Sequence, residues 1–223
     1  MFNFVFMFEN EPQEITYSEK QVSILLATEQ LIAEKGYSAT SVRDIAHAAA
    51  VNVAMISYYF GSKEKLLEAL FVYRIGASRV LLQSLLENTQ LDPFQKLEVL
   101  TNSYVERWAK NLSFFQIMSS EPAIREIKEI STIVNSSKQR NIMMVARLIE
   151  EGQDKGFFKA NVDVHLLMHT VVGTLNSVFT SCDTLKTIYR NDDISAEEFL
   201  KILQDKLKRH LFHTIKSALS QPE

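Results

Sequence analysis

One cysteine, Cys182, stands among 223 residues. That excludes an internal disulfide framework and a zinc site built on thiolates, and it fits a reducing compartment. Proline and glycine are scarce, at four and six, and alternating β-branched runs are few, which argues against a turn-rich sandwich or barrel and predicts an all-α chain. Neither sign of charge dominates: 24 Lys and Arg face 27 Asp and Glu, so no basic stripe advertises nucleic acid. Gly-rich phosphate loops, paired-carboxylate motifs and nucleophile elbows are missing, and the expectation is a protein that is no enzyme and needs no cofactor. The apolar opening Met1–Phe8 is too short to span a bilayer and lacks the basic start and cleavage site of a signal peptide. Residues 1–17 are therefore expected to form a flexible arm on a cytoplasmic protein.

What the chain does contain is concentrated in SVRDIAHAAAVNVAMISYYFGSKEKLL, residues 41–67. Ser41 can cap a helix whose Val42, Ile45 and Ala46 share one face, and Asn52 can cap a second through Ile56 and Tyr59. Between them lies the small-residue run Ala48, Ala49, Ala50. Helices this short must pack on the preceding segment around Ile24, Leu31 and Ile32, which makes a three-helix unit with a helix-turn-helix. In such a unit the second helix enters the major groove with its N-terminal residues against base edges.

The segment Ile24–Val42, ILLATEQLIAEKGYSATSV, together with Tyr58–Leu67, YYFGSKEKLL, resembles the TetR family of transcriptional regulators over about fifty residues. The stretch GFFKANVD, residues 156–163, is similar to the family's entry to its penultimate helix. Two positions depart from the pattern: Ala50 stands at a turn position usually held by Gly, which requires negative φ there, and Ser57 replaces a tyrosine that would touch phosphate. The resemblance implies a DNA-binding head at residues 18–65 and a helical effector-binding and dimerisation domain at residues 66–223.

Candidate DNA contacts follow from residue chemistry and from the resemblance. Thr40 and Ser41 could offer hydroxyl and backbone donors to phosphate at a helix start, and Arg43 can reach a phosphate or a guanine edge. The recognition helix, Asn52–Phe60, carries no charge, so base reading falls to Asn52, Val53, Ala54 and Ser57, with Val53 and Ala54 suited to thymine methyl groups. Tyr58 and Tyr59 are expected phosphate contacts by resemblance, and Lys63 is the foremost candidate for one. Between Ser18 and Lys65, Lys20, Lys35, Arg43, Lys63 and Lys65 balance Glu19, Glu29, Glu34, Asp44 and Glu64. A neutral head predicts weak nonspecific affinity and reliance on two heads acting together.

Beyond the head, periodicity predicts a long helix from Ser62 to Glu87 and another opened by Asp92-Pro93 and running to Lys110. A short segment, Leu112–Met118, follows, then stretches on either side of Asn135-Ser136 that end near Gly152. Val164–Cys182 holds no Asp, Glu, Lys or Arg and would be ~28 Å long as a helix. Its His, Asn, Thr and Ser residues favour a helix buried in protein over a membrane span. Ser195 and Glu198 form a capping-box pattern before the stripe Leu200, Leu203, Leu207, Leu211, Ile215. That stripe, with Val171, Leu175 and Val178, is expected to make a homodimer seam as a four-helix bundle.

An excess of aromatic and methionine side chains, Trp108, Phe114, Phe115, Met118, Met143, Met144, Met168 and Phe179, with Asn176 for orientation, suggests a pocket for an apolar small-molecule effector. His165 and His169 lie four apart, as do metal ligands on a helix, but no acidic motif completes a site and no metal is expected. The favoured reading is a repressor of a double-stranded operator released by that effector. The competing one is a helical small-molecule or protein-binding module that has lost DNA binding.

Overall fold

A computed structural model describes residues 16–121, 124, 126–191 and 193–221. Among these, ten helices and no strand occur: α1 Glu19–Lys35, α2 Val42–Ala48, α3 Val53–Phe60, α4 Lys63–Glu87, α5 Pro93–Lys110, α6 Leu112–Ser120, α7 Lys128–Asp154, α8 Val164–Thr180, α9 Cys182–Ile188 and α10 Ala196–Leu219. The Phe-rich opening lies outside the described residues. Tyr17, at the end of the segment expected to be flexible, donates its hydroxyl to the Ala69 carbonyl and meets the Tyr73 ring edge-on.

Side-chain caps fix most helix starts. Ser18 with Gln21, Ser41 with Asp44, Asp92 with Gln95, and Ser195 with Glu198 each form a reciprocal capping box, and Pro93 follows its cap at the first helical position. Two helices differ from expectation, one by lacking an expected break and one by gaining a break. Helix α7 runs straight through Asn135 and Ser136, whereas the charge-free segment stops at Thr180 and restarts at Cys182. Gly152 sits inside the last turn of α7, where a Cβ would come within 2.1 Å of the Phe158 ring. Only hydrogen fits there, so the glycine permits close packing of the GFFKANVD loop rather than ending the helix.

Two apolar clusters organise the chain. One joins Ile24, Leu25, Ile32, Ile45, Ile56, Leu66, Leu67 and Phe71 to Phe114, Ile117 and Ile130. The other gathers Leu97, Trp108, Val145, Leu148, Phe158, Leu175, Phe179 and the inner face of α10. Helix α4 contributes to both, Phe71 to the first and Leu82 and Leu85 to the second. By length and composition α4 could cross a membrane, but here its apolar residues are shared between two protein cores. The head's core does not close at residue 65, because α6 and α7 supply part of it.

Candidate nucleic-acid interface and effector region

The turn between α2 and α3 is tighter than its sequence promised. Ala50 has φ of 51°, in the left-handed region, so the expectation of negative φ is corrected. Its N–H donates to the His47 carbonyl at 3.1 Å and the next N–H, of Val51, to Ala46 at 2.9 Å. These two bonds close α2 in a Schellman motif, a geometry that spares glycine but strains alanine.

At the start of α2 the expected phosphate donors are already engaged. Thr40 is buried and its hydroxyl donates to the Gly36 carbonyl at 2.8 Å, with Leu31 at 3.3 Å. Its side chain therefore belongs to the end of α1, and its assignment as a phosphate contact does not hold in this arrangement. The Ser41 hydroxyl and N–H both donate to Asp44 Oδ2, at 2.7 and 2.8 Å, and Lys35 pairs with the same carboxylate at 3.2 Å. Bonds from Ser41 and then the lysine hold Asp44 down to a pKa of about 2. Arg43 remains exposed.

Helix α3 presents an outward strip of exposed Asn52, Val53, Ala54, Ser57 and Tyr58, with Ile56 buried behind it. Asn52 Oδ1 accepts from the Ala54 N–H at 2.8 Å, and its amide hydrogens are not used in that bond. Tyr58 is 83% exposed, while Tyr59 is half-buried between Tyr58 and Phe60. Lys63 donates to the Tyr37 carbonyl and lies 4.0 Å over the Tyr37 ring. Partial burial lowers its pKa from the ordinary lysine value, and the pairing holds the ammonium at the start of α4 against Tyr37. The strip therefore offers only neutral groups, and the cations nearest to it in sequence are Arg43 and Lys63.

In the body, the expected pocket residues divide. Trp108 stacks on Phe115, centroids 3.8 Å apart, and lies parallel to Phe179 at 6.3 Å. Met144 and Met168 pack half-buried against the same cluster, and Asn176 is half-buried on α8. Phe114 and Met118 instead join the head-side cluster, where Met118 helps line a 190 Å³ cavity with Phe71, Ile124, Ile130, Val134 and Lys138. Met143 is half-buried on α7. The aromatic surplus thus forms a stack rather than the wall of an open chamber.

Residues 24–70 match the model for bacterial regulatory proteins of the tetR family, and residues 93–211 match the model for a Tetracyclin repressor-like C-terminal domain. The chain belongs to the TetR family. It is a DNA-binding transcriptional regulator, and the relatives it matches are regulators rather than enzymes. It is 31% identical over 136 residues to the probable HTH-type transcriptional regulator YttP of Bacillus subtilis, covering 58% of this chain and 63% of that one. To the transcriptional repressor NicS of Pseudomonas putida it is 24% identical, covering 85% and 91% of the two chains. Among solved structures, the fatty acid degradation regulator FadR of Bacillus halodurans superposes with a TM-score of 0.65 at 25% identity, over 87% of this chain and 97% of that one. The ketosteroid regulator KstR2 of Mycobacterium tuberculosis shares the fold with a TM-score of 0.69 at 17% identity, over 93% and 98%.

The TetR-family body corrects the expected dimer seam. Val171, Leu175, Leu203, Leu207, Leu211 and Ile215 are all buried within the single chain, with α10 laid on α5. Val178 and Leu200 are half-buried against the same core. A side chain already enclosed by its own chain has no area left for a second copy. The stripe steps by three and four because it faces α5, a partner that periodicity alone cannot distinguish from another molecule. What α8 leaves outside is His165, Leu166, His169, Thr170, Val172, Gly173, Ser177 and Thr180. His169 Nδ1 lies 2.8 Å from the His165 carbonyl oxygen, and among the described residues no group of three or more His, Cys, Asp or Glu is placed to hold a metal.

Sequence reasoning missed a polar network. Arg74 on α4 bonds Glu29 of α1 through Nε and Nη2, and Asn111 at the α5–α6 junction through Nη1 at 2.6 Å. Arg107 donates to the Arg74 carbonyl at 2.9 Å, and Asn111 to the Arg107 carbonyl at 2.8 Å. A signal was available. Glu29 shares the inward face of α1 with Leu25, Thr28 and Ile32, where an unpaired carboxylate would not be tolerated.

Proposed function

We propose that this chain is a homodimeric cytoplasmic repressor that reads an operator half-site with α3 and is released by a small, largely apolar effector bound in the α4–α8 body. The observation that carries this reading is the strip of Asn52, Val53, Ala54 and Ser57, exposed and uncharged beside Arg43 and Lys63. Base edges are read by such neutral groups while the flanking cations hold phosphate.

The reading calls for a second copy because one head alone carries few phosphate contacts. The outer face of α8 suits that role: it has no Asp, Glu, Lys or Arg, Leu166 is 67% exposed and Val172 39%, and Gly173 has open space where a side chain would stand. Two such faces can approach closely about a twofold axis. The effector class is supported by the Trp108–Phe115–Phe179 stack and by relatives whose names concern fatty acids and ketosteroids, including a FadR of Bacillus subtilis in complex with stearoyl-CoA. A ligand that binds the free arrangement better than the DNA-bound one would move the heads away from the ~34–36 Å spacing of successive major grooves.

Fluorescence anisotropy with the DNA upstream of the protein's own gene tests this directly, alongside native mass spectrometry of the free and bound protein. Sequence-specific binding by a dimer, weakened by an apolar ligand, is the expected result. Binding that ignores sequence would sink the repressor reading.

A further inference from the structure

We infer that the Tyr104 hydroxyl and the Arg107 guanidinium form the polar end of the effector site, and that the effector bears one carboxylate on an apolar body. This rests on the reading above that the body binds an effector.

Tyr104 Oη is sealed from solvent and has no hydrogen-bond partner among the described residues. Native proteins rarely leave a buried hydroxyl unpaired, and an orphan of this kind marks a place where a partner is missing. Burial also raises its pKa, which keeps it a protonated donor. Arg107 lies three residues on along α5, hence on an adjoining face. Burial lowers its pKa first of all, with repulsion from Arg74 adding to that and the Tyr104 side chain opposing it. Arg74 is neutralised by Glu29, but among the described residues no carboxylate lies within ion-pairing distance of Arg107. Its described side-chain bond runs from Nη2 to the Arg74 carbonyl, and the other guanidinium hydrogens stay available.

An orphan hydroxyl beside a guanidinium with hydrogens to spare calls for an oxygen acceptor, and a cation without a carboxylate partner among the described residues calls for an anion. A carboxylate satisfies both, since it accepts from guanidinium and hydroxyl together. One positive charge balances one negative charge, so a headgroup of higher charge would bring anionic groups that nothing described there neutralises. One turn beyond Tyr104, Trp108 opens the closed aromatic stack with Phe115 and Phe179, whose rings would have to part to take in the apolar body. The same headgroup would compete for the Arg107 hydrogens now held by the Arg74 carbonyl. Arg74 in turn grips Glu29 in the head, so the site adjoins the joint through which release must act.

The test compares decanoate with decanol on the full chain by calorimetric titration, in the wild type and in Tyr104→Phe. Wild type is expected to bind decanoate at least about ten-fold more tightly than decanol. Tyr104→Phe removes only the orphan hydroxyl, so it should match or exceed wild-type thermal stability, lose about ten-fold in decanoate affinity and hold decanol within about two-fold. Wild type binding neither compound, or both alike, overturns the site. Unchanged decanoate affinity in Tyr104→Phe also overturns it, leaving an ordered water as the partner of that hydroxyl. Ligand-free operator binding is measured in parallel: its loss sinks the repressor reading while a carboxylate preference stands, and intact operator binding without that preference sinks this site alone.

Discussion

Arg74 of α4 grips Glu29 of α1 with two hydrogen bonds, Nε to Oε2 at 2.6 Å and Nη2 to Oε1 at 3.1 Å, and so ties the DNA-binding head to the helix that enters the body. Both groups are largely withdrawn from solvent, with side-chain exposures of 19% and 7%. Removing one partner would strand the other's charge. Glu29→Ala should therefore cost about 3 kcal/mol, the lower end for a broken buried pair because Arg74 keeps Asn111. Urea unfolding of the free protein measures it, and a loss below half that figure would make the pair incidental.

Ala50 carries its left-handed φ without the freedom of glycine. Ala50→Gly should stabilise the protein by about 1 kcal/mol, since the side chain's clash with the following carbonyl disappears and the Schellman bonds remain. A lower denaturation midpoint in this variant would mean that the alanine methyl packs usefully on the head.

Contacts to phosphate and to bases separate by their sequence dependence. Lys63→Ala should weaken binding to all duplexes alike and flatten the dependence of affinity on salt, whereas Ser57→Ala should change the preferred sequence by about 1–3 kcal/mol at one position. Titrations at several salt concentrations, with operator and scrambled DNA, distinguish the two. An unchanged salt slope in folded Lys63→Ala would leave that ammonium to its Tyr37 contact alone.

The proposed seam on the outer face of α8 can be tested by charging it. Gly173→Arg should leave the monomer folded, as open space surrounds that position, yet prevent dimers. Leu207→Asp should instead unfold the chain, because Leu207 is buried in its own core. Sizing chromatography with circular dichroism reads both. A folded Gly173→Arg dimer would place the seam elsewhere.

Asp44 sets an acid-side signature. Its pKa is about 2 in the folded chain, held down first by the Ser41 hydroxyl and N–H, against ~3.9 when unfolded. A depressed carboxylate stabilises fully above the unfolded value and loses that contribution as pH falls through the folded one. Asp44→Asn should therefore narrow its stability gap to wild type between about pH 4 and 2. A gap constant across that range would show that the capping box does not depend on the charge.

The sequence by itself determined most of the helices, their caps and the exposed strip of α3. Those are local matters: Ser18, Ser41, Asp92 and Ser195 bond to backbone within three residues, and the exposure of Asn52, Val53 and Ser57 follows from burying Ile56. Long-range partners were not legible. The stripe from Leu203 to Ile215 had one apolar face, but only the fold decided that α5 of the same chain covers it. Trp108, Phe115 and Phe179 were recognised as a surplus, yet sequence could not tell a stack from a chamber, nor send Phe114 and Met118 to the other core. Thr40 read as a donor to phosphate until the end of α1 claimed its hydroxyl. Tyr104 and Arg107 drew no notice at all, since a buried group without a partner becomes visible only when every neighbour has been placed around it.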